Sequence, residues 1–139
     1  MLTRVVFAAA LILGIAGACQ AQETAIVALG LADHKVSEDE LAKGETLAAP
    51  KFNTPGVAYV VVANAKKGDA IEVTLMKDGD PLMRNMRDVD ADAKIVLLQA
   101  GKTGVPAGGW PGGSYAASAK VTRDGQVIAE QTSEPVPFD

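Results

Sequence analysis

Three aspartates at alternate positions, Asp88-Val89-Asp90-Ala91-Asp92, form the most suggestive set of metal-capable side chains in the sequence. Alternating carboxylates in a loop supply the hard oxygen ligands that calcium takes, so Asp88, Asp90 and Asp92 are candidate metal ligands. An EF-hand loop, however, needs glycine at its sixth place and glutamate at its twelfth. Counted from Asp88, those places hold Ala93 and Gln99. A solvated turn between two strands accounts for the same residues. Met76, Met83 and Met86 are a second set, because thioethers suit copper in exported proteins. Residues three apart on a strand point to opposite faces, which separates Met83 from Met86 and favours ordinary core and edge methionines. His34 is the only histidine, so no multi-histidine metal site can form, and Cys19, the only cysteine, sits where export would remove or lipidate it, which leaves no free thiol for a Cys/His dyad. No G-x-S-x-G is present to supply a serine nucleophile. The chain is therefore expected to be non-enzymatic and to carry no cofactor. Trp110, set in Ala107-Gly108-Gly109-Trp110-Pro111-Gly112-Gly113, is a candidate ligand or partner contact, since an exposed indole stacks on sugars or inserts into a partner. The competing reading folds it over the end of the core as a plug.

The N-terminus determines where such residues would act. Met1-Leu2-Thr3-Arg4 carries one positive charge, Val5 to Ile15 is apolar, and Ala16-Gly17-Ala18 follows. That pattern predicts an export signal over residues 1–21, about half as long as a bilayer-spanning helix. Ile15-Ala16-Gly17-Ala18-Cys19 resembles a bacterial lipobox. The resemblance implies cleavage before Cys19, a diacylglyceryl group on its thiol and attachment to a membrane. Gln20 after the cysteine, rather than aspartate, implies the outer membrane by resemblance to Gram-negative lipoproteins. Ala16-Gly17-Ala18 and Cys19-Gln20-Ala21 also satisfy the small-x-small rule of ordinary signal peptidase, and cleavage before Gln22 would release a soluble periplasmic product.

Residues 22–139 have the length of one domain. A net charge of −4 over the whole chain, without long runs of either sign, gives no attraction to nucleic acid or to anionic lipid headgroups. One cysteine excludes an internal disulfide, so an exported domain of this kind must be held by core burial alone.

The elements that would position these residues read as strands. Thr24 to Leu31 is apolar with little alternation, as in a strand buried on both faces or a short hydrophobic edge. Ser37-Glu38-Asp39-Glu40 has the form of a helix capping box, but the apolar content nearby is thin, and an irregular connection from Asp33 to Pro55 is expected. Val57 to Ala63 is rich in β-branched residues, and Ala70 to Met76 alternates with Ile71, Val73 and Leu75 on one face. Pro81 to Arg87 suits an edge strand, and Lys94 to Gln99 a buried one. Ala100 to Gly113 reads as a long bent connection. Ser114 to Thr122 then turns Tyr115, Ala117, Ala119 and Val121 inward, and Asp124-Gly125 starts a hairpin back through Gln126 to Thr132.

About seven short strands and no long helix predict an all-β fold, an antiparallel β-sandwich. Trp110-Pro111-Gly112-Gly113-Ser114-Tyr115 leading into an alternating strand, then Asp124-Gly125 and a last strand, resembles the final two strands of immunoglobulin-like and fibronectin-type-III-like bacterial extracytoplasmic domains. Phe52 to Tyr59 resembles an earlier strand entry in the same families, and Tyr115, two residues before Ala117, resembles a tyrosine corner. The resemblance implies an immunoglobulin-like fold and no particular chemistry. The expected function is that of an exported envelope protein, an interaction or structural module tethered through Cys19 to the membrane, with an envelope protein as partner and no nucleic acid. The alternative is a periplasmic ligand-binding protein for a carbohydrate or metal.

Overall fold

The computed structural model describes residues 23–44, 47–102 and 104–138, so the signal segment and Cys19 lie outside it. The period-two runs form strands β1 (Ala25–Ala32), β2 (Gly56–Ala65), β3 (Ala70–Lys77), β4 (Asp80–Asp88), β5 (Ala93–Lys102), β6 (Ser114–Arg123) and β7 (Gln126–Thr132). A two-residue β8 (Val136–Pro137) follows. All pairings are antiparallel. One sheet has the order β1-β2-β5, and the other has β4-β3-β6-β7 with β8 beside β6. The chain is an all-β sandwich, in which β2 to β3, β4 to β5 and β5 to β6 each cross between sheets.

The alternation explains the core. Ala58, Val60 and Val62 of β2 face Ile71, Val73 and Leu75 of β3, together with Val96, Leu98 and Ala100 of β5 and Tyr115, Ala117, Ala119 and Val121 of β6. Asp78-Gly79 and Asp124-Gly125 make the tight turns, with φ of 51° and 85° in the first and 52° and 79° in the second. Positive φ at both central positions is what a twisted hairpin requires.

The ends of the sandwich are closed by different chemistry. At one end Trp110, Tyr115 and Phe138 pack together, with Tyr115 and Phe138 stacked at 3.9 Å and Trp110 edge-on to both. Gly56 makes room for them, since a Cβ there would lie 3.0 Å from Trp110 and 3.1 Å from Phe138. At the other end the fully buried Asp69 carboxylate accepts from Arg123 Nε at 2.7 Å and from a second guanidinium nitrogen at 2.8 Å.

Two expectations are corrected. The connection after β1 contains a helix, α1 (Glu38–Ala42). Its capping box is complete: Ser37 Oγ accepts from the Glu40 N–H at 3.2 Å, and the Ser37 N–H donates to Glu40 Oε1 at 3.1 Å. These local bonds, rather than burial, hold so short a helix, which has no buried residue. β5, expected as a buried strand, is buried on one face only. It is the edge of its sheet, with Val96 and Leu98 inward and Ile95 49% exposed.

Candidate functional site

Because Ala58, Val60 and Val62 point inward, Val57, Tyr59, Val61 and Ala63 point out from β2. The register sets Ala28 of β1 and Leu97 of β5 beside Val61, and Ile95 beside Ala63. The outer face of the three-stranded sheet is thus apolar. Val36 and α1 cover part of it. Val36 is buried there by a reciprocal amide pair, its N–H donating to Gln99 Oε1 at 2.6 Å and its carbonyl accepting from Gln99 Nε2 at 2.8 Å.

The cover is incomplete. Between α1 and the sheet lies a groove of about 480 Å³, lined by Val27, Ala28, Leu41, Ala42, Val61 and Ile95, with Glu38 and Asp39 at its lip. Val27 is there because of a β-bulge. The β1–β2 register shifts between Ile26 and Ala28, so Ile26 stays beside Val62 and packs on the core, while Val27 has no partner and is 57% exposed. Bulges commonly re-aim a side chain in this way. The other sheet's outer face is mixed: Glu72 sits between Arg84 at 3.4 Å and Lys120 at 3.5 Å, and Met86 and Val127 are exposed on the same face.

His34 holds α1 in place. Its Nδ1 lies 2.7 Å from Asp33 Oδ1 and its Nε2 2.6 Å from Glu40 Oε2. Only the doubly protonated ring donates to both carboxylates. The hydrogen bond to Asp33, then that to Glu40, raises the His34 pKa above its ordinary value, and His34 in turn lowers that of Glu40. A raised folded-state pKa contributes stability that is fully present below the unfolded value and lost as pH rises through the folded one. The stability difference between wild type and His34→Gln is therefore expected to be largest at mildly acidic pH and to vanish in alkaline buffer. Urea unfolding of both proteins across that range checks it, and a difference independent of pH overturns it. Ser37 Oγ donates to Glu40 Oε1 at 3.3 Å and makes no hydrogen bond to the imidazole.

The residues singled out from sequence are dispersed. Trp110 is 6% exposed, and its Nε1–H donates to the Thr54 carbonyl at 2.8 Å while its backbone N–H donates to Phe52 O at 2.8 Å. Its ring is spent on the core, in the plug position. Among the described residues no three His, Cys, Asp or Glu side chains gather to hold a metal ion. Asp92 instead accepts the Lys67 N–H at 2.9 Å, Asp88 pairs with Ala70 at the end of β4, and Asp90 is exposed in the bend that follows. Met83 faces the core opposite Leu75, whereas Met86, opposite Glu72, is 57% exposed. Met76 faces away from the core beside Asp78 and Ser114. Cys19 lies outside the described residues.

Sequence reasoning missed the groove and the Asp69–Arg123 pair. The two apolar runs of β1 and β2 carried a signal for the groove, because both lack the polar alternation of a strand with one wet face. No family model matches the chain, and no curated protein matches it.

Proposed function

We propose that this protein is a non-enzymatic module of a bacterial envelope, exported, anchored by a lipid on Cys19, and binding another protein through the outer face of its three-stranded sheet. The groove carries the reading. Val27 and Ile95 are half-exposed beside it, whereas Met86, exposed on the other sheet, lies beside Glu72 in the charged cluster with Arg84 and Lys120. A concave apolar surface with a few polar groups at its edge is the usual form of a binding site.

The immunoglobulin-like reading of the fold is supported by strand order. The first, second and fifth strands share one sheet, and the third, sixth and seventh share the other, as in immunoglobulin domains, while β4 joins the latter sheet rather than the former, where the constant type has it. Tyr115 supports it too, since its hydroxyl donates to the Pro111 carbonyl at 2.6 Å, the backward bond of a tyrosine corner. The lipobox-like segment ending at Cys19 supports the anchor.

Two measurements test this reading. Radiolabelled fatty acid should enter the wild-type protein and not Cys19→Ser, and no label in wild type overturns the anchor. A photocrosslinking residue at Ile95 should yield a discrete protein adduct in the envelope, whereas one at Lys120 should not. Equal yields, or none at Ile95, overturn the binding face.

A further inference from the structure

Resting on that reading, we infer that the groove between α1 and the three-stranded sheet takes a basic amphipathic segment of its protein partner, one presenting a large apolar side chain next to a lysine or arginine. The floor is apolar: Val27, Ala28, Leu41, Val61 and Ile95 contribute no charge. The charged residues that line it are Glu38 and Asp39, both negative. Among the described residues neither is in an ion pair, whereas Glu40 on the same helix is taken by His34. α1 has three acids in its first turn and no base in its last. An entering apolar side chain would lose water against Val27 and Ile95, and a neighbouring cation would meet the carboxylates at the lip. The volume of about 480 Å³ lies within the ~300–1,000 Å³ typical of sites for compact ligands.

The same charges argue against other occupants. A second copy would bring its own Glu38 and Asp39 and a net charge of −4 to the same face. An anionic bilayer would meet like charge at the lip. The bulge shapes the groove. It breaks one ladder register to set Val27 in the groove while Ile26 remains on the core.

A random peptide library displayed against the protein, purified as its bacterial host processes it, tests the inference. Recovered peptides should carry a large apolar residue within a turn of Lys or Arg. Their affinity should fall at least tenfold on Ile95→Asn and on Val27→Asn, both at exposed positions whose substitution leaves the core intact. Glu38→Gln with Asp39→Asn should weaken binding severalfold and remove most of its salt dependence. Acidic or uncharged consensus peptides, peptides indifferent to Ile95→Asn, or the absence of any binder overturns the inference. An Ile95 crosslink obtained alongside such a failure would leave the binding face standing and remove only the basic partner; loss of both would remove the face itself.

Discussion

Replacing Asp69 with alanine is expected to destabilise the sandwich by about 3 kcal/mol, the lower end of what breaking a buried ion pair costs. The carboxylate is fully buried and accepts three donors: two from Arg123 and the Lys66 backbone N–H at 2.9 Å. Arg123 also donates to Thr24 Oγ1 at 2.8 Å, so one acidic side chain joins the β2–β3 turn, the end of β6 and the residue before β1. The Arg123 side chain is 36% exposed and regains water when its partner is lost, which limits the damage. The Lys66 N–H loses its acceptor at the same time. The effect should also depend on pH. The Arg123 hydrogen bond, followed by that from Lys66, lowers the Asp69 pKa. Its contribution is therefore complete above the ordinary carboxylate value and lost as pH falls through the lowered folded value. Urea unfolding of wild type and Asp69→Ala, compared at neutral and strongly acidic pH, should show the gap closing in acid. A gap under about 1 kcal/mol at neutral pH would mean that the pair is no more than a surface contact.

Trp110→Ala is expected to cost about 3–5 kcal/mol, the usual range for removing a buried large aromatic. The indole is edge-on to Tyr115 and Phe138, with ring centroids 5.9 Å and 5.5 Å away. Its removal opens that end of the core and orphans the Thr54 carbonyl. Trp110→Phe keeps an aromatic ring at the site and loses the hydrogen bond, so a cost of about 1–2 kcal/mol is expected. Thermal unfolding orders the three proteins. Equal stability of wild type and Trp110→Ala would remove the plug and return the indole to the surface.

The two effects differ in how far the sequence announces them. Ile71, Val73 and Leu75, and Tyr115, Ala117, Ala119 and Val121, declare their faces by period-two alternation, and the structure buries all seven. Asp78-Gly79 and Asp124-Gly125 declare their turns because few other pairs tolerate two positive φ values. Asp69 and Arg123 declare nothing: they lie 54 residues apart, and only the pairing of β3 with β6, Ala70 opposite Thr122, brings them together. α1 is underestimated by counting apolar residues, because its stability lies in two capping hydrogen bonds. The groove is hidden for a different reason. Its floor comes from three strands and a helix, and the bulge that exposes Val27 shifts the register within an unbroken apolar run where alternation gives no marker.

The bulge also bears on solubility. The sheet it belongs to has two edges, and β5 has cover on its side, where Asn85 of β4 donates to the Gln99 carbonyl at 2.9 Å. β1 is the other edge, and Ala25–Ala32 carries no charged residue and no proline. An uncharged apolar edge strand is a template for pairing with another chain, and a kink in the ladder is one of the few devices that spoil it. Straightening β1 by deleting Val27 would thus do more than empty the groove. It would leave a regular, sticky edge, and the cost of that change would appear as aggregation in concentrated protein before it appeared in the stability of the fold.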